Sequence, residues 1–174
     1  MPEIHVCSLA RVADTVAESG ASHMVTLINR DTPVDRPDMI AEQNHLFLAF
    51  NDITEPMEGM VPPAEAHVRE LLDFISCWDR NAPIVVHCWA GISRSTAAAY
   101  ITLCALNPDK PENDLALALR RASRSATPNA RLVALADDIL GRDGRMVAAI
   151  ESIGRGEMAF EGEPFALPAY HGDA

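Results

Sequence analysis

Aromatic side chains are scarce in this sequence of 174 residues, at 5% of the total. That shortage argues against a small β-barrel. An apolar content of 48%, mostly alanine and short aliphatics, fits a helix-rich α/β protein that can bury one core without disulfides or structural metal. Basic charge is also short, and the formal net charge is -11. A general basic field for holding nucleic acid or an anionic membrane is therefore excluded, and an anionic substrate must be caught locally. The four cysteines, Cys7, Cys77, Cys88 and Cys104, lack the spacing of a disulfide framework or zinc ribbon, so reduced thiols are expected. His5, His23, His45, His67 and His171 are scattered singly, with no pair at metal-ligand spacing, and metal is not indicated. The N-terminus has neither a basic start nor an apolar run, and no stretch approaches membrane-span length. A soluble, cytoplasmic, monomeric protein is expected, with 1–174 as a single domain.

The elements present read as an alternation of strands and helices. Ile4 to Cys7 is a short strand, after which Ser8 can cap a helix carrying Leu9, Val12, Ala13 and Val16 up to Gly20. His23 to Ile28 is a second strand, 29–38 a loop rich in Pro and Asp, and His45 to Phe50 a third strand closed by the turn Asn51-Asp52. Val61, Ala64, Val68, Leu71, Leu72, Ile75 and Trp78 form the apolar stripe of a helix with Pro62-Pro63 in its first turn. Ile84-Val85-Val86 is too short for a helix and continuously apolar, which predicts a central buried strand. Ser93 to Leu106 predicts a helix that stops at Asn107-Pro108. Two packing helices follow, one opened by Pro111-Glu112, the other carrying Leu132, Leu135, Ala136, Ile139 and Leu140. The segment from Gly154 to the end, rich in glycine, proline and acids, reads as an irregular extension.

His87 and Cys88 lie at the end of the central strand, and His87-Cys88-Trp89-Ala90-Gly91-Ile92-Ser93-Arg94-Ser95 leads into the helix. A cysteine followed after five residues by arginine is weak by itself, arising by chance in roughly one chain in three of this composition. Specificity comes from the strand before it, the glycine within it and the helix after it. A phosphate dianion needs many convergent donors and little obstruction, which the loop amides of Trp89, Ala90, Gly91, Ile92 and Ser93 at a helix N-terminus supply. Gly91 allows the tight turn. The positive helix end and Arg94 stabilise a thiolate at Cys88, making it a nucleophile at neutral pH. Arg94 can hold two phosphoryl oxygens through its planar fork, and a cation at a helix N-terminus is misplaced unless an anion is bound. Ser95 can donate to the sulfur as it leaves or cap the helix, and His87 reads as an orienting partner rather than a base. Cys77 and Cys104 read as core residues of helices, either of which could guard Cys88 under oxidation.

The stretch HCWAGISRS, after a Val-rich strand and before a helix, resembles the phosphate loop of the cysteine-based protein tyrosine phosphatase superfamily. The element order from Ile4, the helix before Ile84, and Thr127-Pro128-Asn129 before the last long helix resemble its compact dual-specificity-like branch over about residues 4–141. The resemblance implies a three-layer α/β fold, a mostly parallel sheet of four to five strands flanked by helices, and phosphoryl transfer with no metal or cofactor. It implies Cys88 as nucleophile, Arg94 as phosphate clamp, and Asp52, thirty-six residues before Cys88, as general acid. Phe50-Asn51-Asp52 stands in place of the Trp-Pro-Asp triplet of the larger receptor-like enzymes, and Glu55 and Glu58 on the same loop are alternative acids.

Three functions compete at this point. The first is a phosphatase acting on phosphotyrosine in a phosphorylated protein or on a small phosphate ester. The second is a phosphate-binding module that recognises phosphorylated partners with little turnover. The third is a rhodanese-type sulfurtransferase, which the Arg94-Ser95 ending disfavours.

Overall fold

In the computed structural model, which describes residues 1–172, a five-stranded sheet runs in the order β3-β2-β4-β1-β5. The strands are β1 (Glu3–Ser8), β2 (His23–Ile28), β3 (His45–Ala49), β4 (Ile84–Cys88) and β5 (Phe165–Pro168). The first four are parallel, and β5 joins the free edge of β1 antiparallel. The helices are α1 (Val12–Ser19), α2 (Glu65–Cys77), α3 (Arg94–Leu106), α4 (Glu112–Ala122), α5 (Ala130–Ile139) and α6 (Arg145–Ile153). No helix among the described residues is long and apolar enough to cross a membrane.

Every residue of β4 is buried because both faces of the sheet are covered. Val85 packs with Cys7, Met24, Val12 and Val16 toward α1. Ile84 and Val86 join Ile4, Val6, Val25 and Leu27 in the larger core with α2 to α6. This three-layer arrangement is the α/β fold expected, and it sets Cys88 at the C-terminal end of the central strand, where open α/β sheets gather ligands.

Several local expectations change. Ser8 does not cap a helix; a short 3-10 turn, Leu9–Arg11, precedes α1, and the Ser8 hydroxyl donates to Glu161 instead. Pro62 and Pro63 lie ahead of α2 rather than in its first turn, because Ala64 is still extended, with φ -129° and ψ 162°. The His67 ring closes that helix start by accepting from the Ala64 N–H at 3.0 Å. Cys77 is exposed at the end of α2 rather than in the core, and the thiol on the strand beside Cys88 is Cys7. Beyond Gly154 the chain is not all irregular, since Phe165–Pro168 forms β5; the last two residues lie outside those described.

Helix α6 had no local start signal because its cap comes from elsewhere in the chain. Asp137, buried on α5, accepts from the N–H groups of Gly144 (2.7 Å), Met146 (2.7 Å) and Val147 (3.1 Å). These are the donors a helix N-terminus leaves without intrahelical partners. Asp137→Ala is expected to cost about 2 kcal/mol, lowering the melting temperature by roughly 6 °C in a thermal scan, with the fold retained.

Candidate active site

The loop after β4 is shaped by what lies against it. Gly91 has φ 72°, and a Cβ there would stand 2.8 Å from the Cys7 carbonyl carbon and 2.9 Å from the Ser8 nitrogen. Glycine is thus required for both conformation and space. The end of β1 also holds the loop directly, through the Leu9 N–H donating to the Trp89 carbonyl at 3.1 Å. Within the loop, Cys88 is buried and its Sγ lies 3.1 Å from Ser95 Oγ. The Gly91 N–H donates to the same sulfur at 3.3 Å. Trp89 stands on the rim, 57% exposed.

Arg94 is the first residue of α3 and is buried to 7% exposure. Its Nη1 donates to Asn29 Oδ1 at 2.7 Å and to the Phe50 carbonyl at 2.9 Å, anchoring the guanidinium to the ends of β2 and β3. Nε and Nη2 make no hydrogen bond among the described residues. Asn29 was read only as part of a surface loop. Its place directly after a parallel strand next to β4 is the signal that could have found it.

Asp52 lies on the exposed loop after β3, yet two groups fix it beside the phosphate loop. Its Oδ1 accepts from Ser93 Oγ at 2.8 Å and from Asn129 Nδ2 at 2.8 Å. Ser93 is the residue that precedes α3, so the helix-cap position belongs to it and not to Ser95, although its hydroxyl serves Asp52 rather than the helix. Asn129, expected from the sequence only as part of the Thr127-Pro128-Asn129 motif, is a joint between three elements. Its Oδ1 caps α5 at Leu132 N (3.0 Å), its own N–H donates to the Ser93 carbonyl (3.2 Å), and its amide holds Asp52. Glu55 and Glu58 are exposed on the same loop and make no hydrogen bond to the phosphate loop among the described residues.

His87 is fully buried beneath the loop. Its Nε2 and that of His45 both lie 2.7 Å from Thr26 Oγ1, one ring accepting the hydroxyl proton and the other donating. Among the described residues His87 Nδ1 has no hydrogen-bond partner of good geometry. Burial pushes the His87 pKa down to about 4, so the ring is neutral at physiological pH and orients rather than carries charge. An unfolded histidine takes its proton near 6.5, so this contribution to stability is complete above that value and is lost as pH falls toward 4. His23, His45 and His67 are lowered by burial too and act in the same direction. His87→Gln is expected to lose about 2 kcal/mol less than the parent between pH 7 and pH 5, measured by urea unfolding at both values.

The protein-tyrosine phosphatase family model matches residues 39–127. That span holds Asp52, the phosphate loop and α3. No curated protein matches the sequence. Among solved structures the fold is similar to that of DUSP15, with 20% identity, a TM-score of 0.63, and coverage of 87% of this chain and 92% of that one. It is similar to the human tyrosine phosphatase-like serine/threonine/tyrosine-interacting protein, at 15% identity, TM-score 0.64, and coverage of 80% and 92%. It is also similar to the Yvh1 phosphatase domain from Chaetomium thermophilum, at 20% identity, TM-score 0.59, and coverage of 82% and 93%.

Proposed function

Because the chain belongs to the protein-tyrosine phosphatase family, we propose that it is of the compact dual-specificity-like branch and hydrolyses phosphate monoesters, phosphotyrosine among them, through a phosphocysteine at Cys88. The observation that carries this reading is the double contact on one sulfur: Ser95 Oγ at 3.1 Å and the Gly91 N–H at 3.3 Å. The Gly91 N–H is a donor to that sulfur, and the Ser95 hydroxyl lies within hydrogen-bond reach of it, able to donate once the sulfur carries negative charge.

In the first step Cys88 Sγ attacks phosphorus as the bond to the ester oxygen breaks. Arg94, already anchored through Nη1, offers Nε and Nη2 to two phosphoryl oxygens, and the loop amides take the others. Asp52 gives its proton to the departing oxygen. Two donors occupy its Oδ1, so the proton is carried on Oδ2. In the second step water attacks phosphorus, Asp52 takes one of its protons, and the sulfur leaves with a hydrogen bond from Ser95. The same reading takes 1–174 as one phosphatase domain, acting as a cytoplasmic monomer on a phosphorylated protein or small phosphate ester, without metal or cofactor.

Hydrolysis of an aryl phosphate in EDTA tests it. Turnover that survives chelation and is inhibited by vanadate supports the cysteine chemistry. A protein that binds phosphopeptide but turns over no ester would instead be a phosphate-binding module.

A further inference from the structure

Between α6 and β5 the chain crosses the loops at the C-terminal end of the sheet as a strap. It is pinned first by the Glu157 N–H on the Arg124 carbonyl (2.8 Å) and the Gly156 N–H on Thr127 Oγ1 (3.1 Å). It then reaches the phosphate loop, where the Gly162 N–H donates to the Ala90 carbonyl at 2.8 Å and the Glu161 carboxylate accepts from Ser8. Ser8 is the register partner of Cys88 on β1. The phosphate loop is therefore held between the end of β1 on one side and the strap on the other.

Gly162 is buried and is not among the glycines with positive φ, so conformation does not explain it. Space does. A Cβ at Gly162 would stand 2.9 Å from the Gly91 carbonyl oxygen and 3.4 Å from that of Ala90.

We propose that Gly162 is a positioning residue for the phosphate loop, fixing the Ala90–Gly91 peptide so that its N–H points at Cys88 and at the bound phosphoryl group. A trans peptide is planar, with its C=O and N–H opposed. The Ala90 carbonyl and the Gly91 N–H belong to one such unit. Gly162 holds the carbonyl from outside at 2.8 Å, and the opposite end of the same plane donates to Cys88 Sγ at 3.3 Å. Rotation of this peptide would turn a donor away from the sulfur and bring a carbonyl dipole toward it. The strap opposes that rotation, and only glycine lets it come near enough.

This inference rests on Cys88 as the nucleophile, and its test is read without turnover. The rate of alkylation of Cys88 by iodoacetate at pH 7, and the vanadate concentration that protects it, are measured for the parent and for Gly162→Ala. Alkylation is expected to slow, and protection to weaken, each by about 10-fold, since one aimed amide is lost or misdirected. Glu161→Ala, which removes the Ser8 tether without adding bulk, is expected to move both in the same direction by about 3-fold and covers the case in which Gly162→Ala does not fold. Asp137→Ala separates positioning from general loosening, because it removes the cap of α6 and touches neither the strap nor the phosphate loop. It should lower the melting temperature and leave vanadate protection unchanged. Unchanged protection in Gly162→Ala and Glu161→Ala, or equal weakening in Asp137→Ala, would overturn the proposal. A parent that hydrolyses no ester but shows these differences would count against the proposed function alone.

Discussion

Cys88→Ser is expected to lose hydrolysis of an aryl phosphate by about ten-thousand-fold or more while still binding inorganic phosphate in a calorimeter. The substitution changes one atom in a buried position, so the loop, its amides and Arg94 keep their places. What disappears is the sulfur nucleophile that the Ser95 hydroxyl and the Gly91 amide face. A serine hydroxyl there finds no free base to take its proton: His87 is engaged with Thr26 beneath the loop, and Asp52 must itself carry a proton for the leaving group in the first step. Binding and chemistry should therefore separate cleanly. Residual turnover within 10-fold of the parent would place the nucleophile elsewhere.

Asp52→Asn has the second largest expected effect, and its size should depend on the leaving group. Asparagine can keep the acceptor that Ser93 Oγ and Asn129 Nδ2 use, so the loop stays docked while the proton on Oδ2 is lost. For an alkyl phosphate, whose alkoxide leaves poorly, the rate should fall by about 100- to 1000-fold; for an activated aryl phosphate it should fall by about 10-fold or less. The sign of the pH effect follows from the same role. The acid must be protonated to act in the first step, so the parent loses activity on the basic side, and the variant should lose that limb of the profile. Equal losses on both esters with the basic limb intact would move the acid to Glu55 or Glu58.

The parts of this site that could be read from the sequence are those written in contiguous residues. Ile84-Val85-Val86 announced a strand buried on both faces, and the glycine, arginine and helix formers after Cys88 announced a loop turning into a helix. The element alternation carried the α/β layering with it. What stayed hidden depends on residues far apart in the chain. Asn29 holds Arg94 across 65 positions and Asn129 holds Asp52 across 77; Asn29 belongs to no local pattern, and the motif around Asn129 marks only the start of α5. Thr26 between two histidines becomes visible only once the register of β2 with β4 is known. The start of α6 was missed because its cap, Asp137, sits on another helix. The tail looked irregular because its glycines suggested looseness. At Gly162 the glycine instead permits close approach, and the four-residue strand that follows, preceded by Pro164 and ending in Pro168, is too short to show an alternation.

Trapping the covalent intermediate tests the central claim most directly. Asp52→Asn, mixed with a radiolabelled aryl phosphate and quenched within milliseconds, should form the phosphoenzyme but hydrolyse it slowly, since no carboxylate takes the proton from water. About one phosphate per protein is expected, located by mass spectrometry on the peptide that carries Cys88 and absent when Cys88 is also replaced by serine. Steady hydrolysis with no trapped phosphate, or phosphate found on another residue, would contradict a phosphocysteine mechanism.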